Sequence, residues 1–294
     1  MTRLADLAEL VRAPAALSVP GDVLSGAAAA GALDRRTPAL AGASVLLYWA
    51  GMAANDWADR RLDAVERPER PIPSGRVRPS VALGVASGLT AAGLAVATAA
   101  GGRRAAAVAL PLAATIWGYD LRAKNTAAGP AVMAACRGLD VLLGASGGRM
   151  VRALPAALTV AAHTWTVTAL SRREVTGADR RLPGLTLAGT ALIALAAPAR
   201  PTPPDTGSGR AARLGDLVPA VLAAGYATRY GRAQARVLAD PSPGRVRAAV
   251  GAGITGLPAL QGALTARAGA WLLGLAVAGA APLGRRLARL ISPT

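Results

Sequence analysis

Asn55, Asp56, Asp59 and Asp63 fall close together, directly after an apolar segment, in a chain with only 16 acidic residues against 33 basic ones. On a helix, positions 56, 59 and 63 are offset by three and four, so their carboxylates share one face. Clustered anions repel one another unless a cation lies among them. Mg²⁺, a hard ion that takes oxygen ligands and leaves positions open for phosphate oxygens, suits such a set. Immediately behind the acids come Arg60, Arg61, Arg67, Arg70, Arg76 and Arg78. Pro68, Pro71 and Pro73 stiffen this segment, and Gly75 permits a tight turn. Carboxylates that hold a metal, beside guanidiniums that match phosphate oxygens, make a cradle for a diphosphate. The plainer alternative is a solvated loop whose acids pair with its own arginines.

This stretch resembles the first aspartate motif of the UbiA superfamily of intramembrane prenyltransferases. The trailing signature is present as Arg67-Pro68, Arg70-Pro71 and Pro73-Ser74-Gly75-Arg76. The resemblance is specific here and weaker over the rest of the chain. It implies an all-α transmembrane bundle of about nine spans, binding of a prenyl diphosphate through Mg²⁺, and transfer of the isoprenoid to an aromatic or lipid acceptor. Asp56, Asp59 and Asp63 would hold the metal and serve catalysis, with Asn55, Arg67 and Arg70 binding substrate. A second acidic motif is expected after the sixth helix, in SRREVTGADRR (171–181). Glu174 and Asp179 are the metal-ligand candidates there. They lie one residue further apart than the family spacing, a shift of about 100° on a helix unless the loop is non-helical. Tyr119 and Lys124, in YDLRAK, resemble the family's Tyr…Lys segment, whose lysine touches the diphosphate.

Arg137 and Asp140 stand three apart on one face of an apolar segment. Charges at membrane depth are costly and face the interior. They are read either as substrate-binding groups or as a buried ion pair. Asp22, in a first span interrupted by Pro20 and Gly21, is expected to face the interior for the same reason. His163 reads as a packing histidine rather than a base. Tyr48, Trp49, Trp117 and Trp165 are the rings available to shield a cation, or simply packing residues. Gly251, Gly253 and Gly256 read as close helix packing. The segments CRGLDVLLG and REVTGADRR look more like an EboC-like branch of the superfamily, which gives the alternative of a non-catalytic protein that binds, scaffolds or moves a metabolite.

The elements that must position these residues follow from composition. Apolar residues make up 53% of the 294, and they fall in runs long enough to cross a bilayer as helices. Ten helical segments are expected: 15–33, 39–57, 79–100, 104–120, 129–147, 152–170, 183–199, 213–231, 247–265 and 269–290. They form a single domain, with 1–14 an amphipathic segment lying on the membrane and 200–213 a flexible connector. The net charge of +17 is scattered among short loops rather than gathered on a soluble face. That pattern fits topology signals and anionic lipid headgroups, not nucleic acid. With the N-terminus cytoplasmic, the loops on its side carry more than twice the basic residues of the other. This predicts a multi-pass plasma-membrane protein with both acidic loops open to the cytoplasm. Cys136 is the only cysteine, so no internal disulfide forms.

Overall fold

The structure, a computed structural model, describes residues 3–12, 18–199 and 210–280. Among these residues the fold is entirely helical. The helices are α1 (Leu4–Leu10), α2 (Pro20–Ala30), α3 (Thr37–Glu66), α4 (Pro79–Gly118), α5 (Gly129–Gly144), α6 (Met150–Ser171), α7 (Arg181–Ala196), α8 (Arg210–Ala239), α9 (Pro243–Arg267) and α10 (Trp271–Ala280). Five of them, α2, α3, α4, α5 and α9, begin with a proline in the first turn. There the fixed φ suits helix entry and the missing N–H costs nothing. Among the described residues three helices are long and apolar enough to cross a membrane: α3, α4 with its extension to Ala123, and α6.

Each expected segment meets a helix, and the differences are informative. α4 is two helices joined across Gly102, whose φ of 64° and ψ of −154° break the ladder. This is the expected division between 79–100 and 104–120. α3 runs nine residues past the expected end at 57, so all three aspartates belong to its last turns rather than to a loop. The connector expected at 200–213 falls largely outside the described residues, as does the end of the helix expected at 269–290; α8 already begins at Arg210. Residues 15–17 of the first segment are also outside them, and α2 itself is only 11 residues, about 17 Å long.

Two apolar cores organise the bundle. One joins α2, α3, α4 and α5 through Val23, Leu47, Leu112 and Leu143. The other joins α6, α7, α8 and α9 through Val160, Ile193, Tyr226 and Leu260. The short α2 lies between them, packed on α3, α5, α6 and α9. A third, smaller core seats the N-terminal helix, where Leu10 is fully buried with Ala53, Ile72 and Val77. The segment expected to lie on the membrane is therefore docked on the end of α3 and the loop that follows it. Glu9 and Asp6 anchor it through Arg76.

Candidate active site

The aspartates keep the single face that their spacing dictates, and each meets a cation. Arg70 Nη1 donates to Asp63 Oδ2 at 2.7 Å and lies 3.4 Å from Asp56 Oδ1, so one guanidinium nitrogen joins two carboxylates. Arg12 Nη2 donates to Asp56 Oδ1 at 2.7 Å. Lys124 Nζ is 2.6 Å from Asp59 Oδ1. Arg67 is more distant, with Nη1 4.0 Å from Asp63 and more than half its side chain exposed. Asp56 and Asp63 are buried. Two such carboxylates are tolerated there because cations accompany them.

The loop after α3 is a folded unit that aims Arg70 and holds α1. Val77 N donates to Pro71 O at 2.8 Å and Ser74 N to Arg70 O at 3.0 Å, while Gly75 takes a φ of 75° in the turn. Arg76 donates to Glu9 Oε2 at 2.6 Å and to Asp6 Oδ1 at 2.9 Å. The backbone N–H of Arg3, followed by Arg76, holds the Asp6 carboxyl below the ordinary carboxylate range. The carboxylates of Glu9 and Asp6 raise the Arg76 guanidinium in turn.

Lys124 reaches Asp59 because α4 ends in a π-helical turn, Tyr119–Ala123, in which Lys124 N bonds Tyr119 O at 3.0 Å. Such wider turns recur at functional sites, where they re-aim side chains. The same turn buries Asp120, whose Oδ1 accepts Asn55 Nδ2 at 3.2 Å. Below this polar layer lies a cavity of about 430 Å³. Arg12, Asn55, Tyr119 and Asp120 border it at one end, and Ile116, Val167 and Leu257 are among its apolar walls. That volume and polarity are ordinary for a small-molecule site.

A second polar cluster closes the cavity. Arg137 lines it and pairs with Asp22, Nε to Oδ2 at 2.7 Å, rather than with its helix neighbour Asp140. Gln261 Nε2 donates to Asp22 Oδ1 at 2.6 Å, and the Tyr48 ring lies 5.5 Å from the Arg137 guanidinium. Asp140 is fully buried outside the cavity lining and accepts from Ser44 Oγ. Asp22 faces inward, as membrane depth requires. His163 is bonded through Nδ1 to Tyr226 Oη at 2.9 Å and packed edge-on between Tyr226 and Tyr230, a packing histidine that also borders the cavity. Trp165 is 39% exposed and Trp117 donates to Thr90, so of the four rings only Tyr48 lines the space. Of the three glycines, Gly253 and Gly256 pack against Tyr230 and Tyr226, while Gly251 faces open space.

The second acidic motif does not join the first. Residues 172–180 are non-helical, and Asp179 is exposed, its Oδ1 accepting the Leu182 N–H at 3.0 Å in the first turn of α7. Glu174 is half-buried; burial raises its carboxyl above the ordinary range, and Arg247, bonded to its carbonyl oxygen, partly offsets this. Neither is bonded or ion-paired to Asp56, Asp59 or Asp63 among the described residues. No group of three metal-type ligands converges among them either. Sequence reasoning missed Arg12, Asp120 and Gln261. Asp120 alone carried a signal, an acid at the end of an apolar helix four residues before the lysine.

Residues 22–182, over half the chain, match the UbiA prenyltransferase family. A digeranylgeranylglyceryl phosphate synthase of Methanothrix thermoacetophila is 44% identical over 80 residues, 26% of this chain and 30% of that protein. The bacteriochlorophyll synthase 33 kDa chain of Cereibacter sphaeroides is 46% identical over 54 residues, 18% of each. These alignments span less than a third of either relative. The fold similarity is far more extensive. A solved structure of digeranylgeranylglyceryl phosphate synthase superposes with a TM-score of 0.67 at 16% identity, over 91% of this chain and 99% of that one. A UbiA homologue from Aeropyrum pernix superposes with a TM-score of 0.58 at 18% identity, over 88% and 96%. With its aspartate helix, its basic loop and its helical bundle thus accounted for, the chain belongs to the UbiA prenyltransferase family.

Proposed function

We propose that the protein is an intramembrane prenyltransferase, which binds a prenyl diphosphate at the end of α3 and transfers its isoprenoid group to an aromatic or lipid acceptor. One observation carries the reading: carboxylates and cations alternate, Asp63–Arg70–Asp56–Arg12 and Asp59–Lys124, in a polar layer that reaches the mouth of a largely apolar cavity through Arg12, with Asn55 and Asp120 beside it. Such a mouth suits a polyanionic headgroup whose hydrocarbon tail lies below it. The relatives are synthases by name, and the transfer chemistry comes to this chain as part of the proposal.

The donor set fits Mg²⁺. It is made of oxygen ligands, and Asp56 and Asp63 already converge on one cationic nitrogen. Asp56 and Asp63 would hold the ion, with Asn55 beside them, and Asp59 would join them on leaving Lys124. Bound there, the ion supplies charge neutralisation for a diphosphate leaving group. The chain's own residues do the rest. Arg67, Arg70 and Lys124 contact diphosphate oxygens and stabilise the charge that gathers on them as the C–O bond breaks. Tyr119 and the apolar walls keep water from the allylic cation. Arg137, held by Asp22, faces the acceptor end; Asp140, bonded to Ser44 outside the cavity lining, is given no substrate contact. The Asp179 carboxylate is taken up by the Leu182 N–H, and neither it nor Glu174 is bonded to the first aspartates, so neither is given a metal. The arginine-rich loops are assigned to the cytoplasmic face of the plasma membrane.

The test is Mg²⁺-dependent release of diphosphate from geranyl, farnesyl and geranylgeranyl diphosphates by purified protein in nanodiscs with a panel of acceptors. Loss of turnover with EDTA and in Asp59→Ala is expected; undiminished turnover in that variant overturns the assignment. The engaged Asp179 favours a second reading, a binding protein without turnover. Mg²⁺-dependent substrate binding with no product across the acceptor panel would select it.

A further inference from the structure

A groove of about 630 Å³ runs between α8 and α9 and shares no lining residue with the cavity. Its floor is made of small residues, and a Cβ at Gly225 would meet nothing within 4 Å. Four exposed arginines border it: Arg229, Arg232 and Arg236 from α8, and Arg245 from α9. The three on α8, at i, i+3 and i+7, share one face over about 10 Å. Arg229 is oriented by Thr255, whose Oγ1 accepts its Nη2 at 2.9 Å and its Nε at 3.2 Å. Asp240, 3.5 Å from Arg245, is the one carboxylate paired with this group among the described residues. Arg232 and Arg236 have no such partner there. Four cations with one exposed carboxylate repel one another, and an anion relieves that repulsion.

The same face of α8 changes character toward its N-terminal end. Leu217 and Val221, eight and four residues before Gly225, are 60% and 66% exposed. The α8–α9 turn lies at the polar-loop end of the bundle, because Ala178 N donates to Pro241 O at 3.0 Å. The cationic part of the stripe therefore lies toward the headgroup layer and the apolar part toward hydrocarbon. A free phosphate would satisfy the arginines and leave Leu217 and Val221 uncovered. An amphiphile matches both. We propose that this groove binds the phosphate headgroup of an anionic membrane phospholipid, whose chains lie along the apolar face of α8.

The experiment is native mass spectrometry of the full-length protein released from detergent after addition of dioleoylphosphatidylglycerol, with dioleoylphosphatidylcholine and inorganic phosphate as comparison probes. Wild type should retain phosphatidylglycerol in preference to phosphatidylcholine, and millimolar phosphate should not strip it. Arg232→Gln with Arg236→Gln should weaken retention about 30-fold. Gly225→Leu, which fills the groove without changing charge, should weaken it too. Arg103→Gln with Arg104→Gln, an equal change of charge at exposed positions of α4, should leave it intact. Equal retention by wild type and the Arg232/Arg236 variant overturns the site. So does equal loss in the Arg103/Arg104 control, equal retention of phosphatidylcholine, or displacement by inorganic phosphate. A Gly225→Leu protein that fails to fold leaves the arginine variant decisive.

Discussion

Arg70 is the residue whose removal tests the carboxylate site without reference to turnover. Its Nη1 serves Asp63 at 2.7 Å and Asp56 at 3.4 Å, and the two carboxylate side chains are each only 4% exposed. Arg70→Met keeps most of the stem and deletes the charge. Removing one partner of a fully buried ion pair costs about 3–5 kcal/mol, since an uncompensated charge remains. Here the loss is smaller: Arg12 stays on Asp56, Arg67 can approach Asp63, and the mouth is partly open to solvent. The expected destabilisation in EDTA is about 2–3 kcal/mol, most of it from Asp63. A divalent cation should restore what the guanidinium supplied. At a free Mg²⁺ concentration about 100 times its Kd, linkage contributes about 2.7 kcal/mol. Wild type should gain less, because the ion must first displace Arg70. The gap between the two proteins should therefore shrink to under about 1 kcal/mol in saturating Mg²⁺.

The assay is urea unfolding of both proteins in one detergent, with and without Mg²⁺. Guanidinium is avoided as denaturant because it could itself stand in for the missing side chain. Adding Asp63→Asn to Arg70→Met should relieve the loss in EDTA and blunt the response to Mg²⁺. Equal stability of Arg70→Met and wild type in EDTA would refute the claim that Arg70 neutralises the pair. Equal stabilisation of both by Mg²⁺ would refute the claim that the ion takes its place.

Four further outcomes follow from the geometry. Lys124→Met, which removes the cation on Asp59, should lower the rate of diphosphate release by about 10²–10³-fold, as loss of a charge-stabilising donor does, and destabilise less than Arg70→Met, because the Asp59 side chain it leaves is 24% exposed. At the α2–α5 crossing, a Cβ on Gly26 would overlap the Val141 carbonyl oxygen, and one on Gly144 would overlap that of Val23, so Gly26→Ala should cost about 3 kcal/mol or more by urea unfolding. Gly88→Ala, in open space on α4, should be neutral or stabilising by up to about 1 kcal/mol. Docking of α1 should depend on pH in one direction: because the folded Asp6 carboxyl titrates below its ordinary value, its contribution is complete above about pH 4 and lost as pH falls through the carboxylate range. Hydrogen exchange of residues 4–10 should therefore be unchanged between pH 5 and 8, after correction for intrinsic rate, and faster in Arg76→Gln throughout.

What the sequence made legible was local. The three-and-four spacing of Asp56, Asp59 and Asp63 defines a face wherever the chain is helical, and the helix does run through them. Arg70 is close enough along the chain to reach back to that face. Arg12 and Asp56 are 44 positions apart, and Gln261 and Asp22 are 239 apart, so only the packed bundle brings them together. The π-helical turn that aims Lys124 left no mark in hydrophobic period or turn residues. Asp179 was legible as an acid but not in its partner: an aspartate three residues before Leu182 at the start of an apolar run can bond a helix-start N–H as readily as a metal, and its Oδ1 accepts the Leu182 N–H.

The two polar clusters differ in a way that separates chemistry from support. At the mouth two of the cations are open to solvent, Arg12 and Arg67 at 40% and 53% exposed, while Arg70 and Lys124 keep 18% and 13%. A guanidinium leaving its carboxylate there moves into water or onto an incoming diphosphate, so binding exchanges one set of ion pairs for another at small desolvation cost. At the far end Arg137 and Asp22 are 7% and 0% exposed, and Gln261 closes the remaining side. Withdrawing either charge would leave the other buried and unpaired, which is prohibitive in a low-dielectric interior. That cluster joins α2, α5 and α9 at fixed geometry, and α2 and α5 are further locked by the Gly26 and Gly144 contacts. Exchange at one end of the cavity and rigidity at the other is the division expected of a site that must release a polyanion while its apolar walls hold their shape.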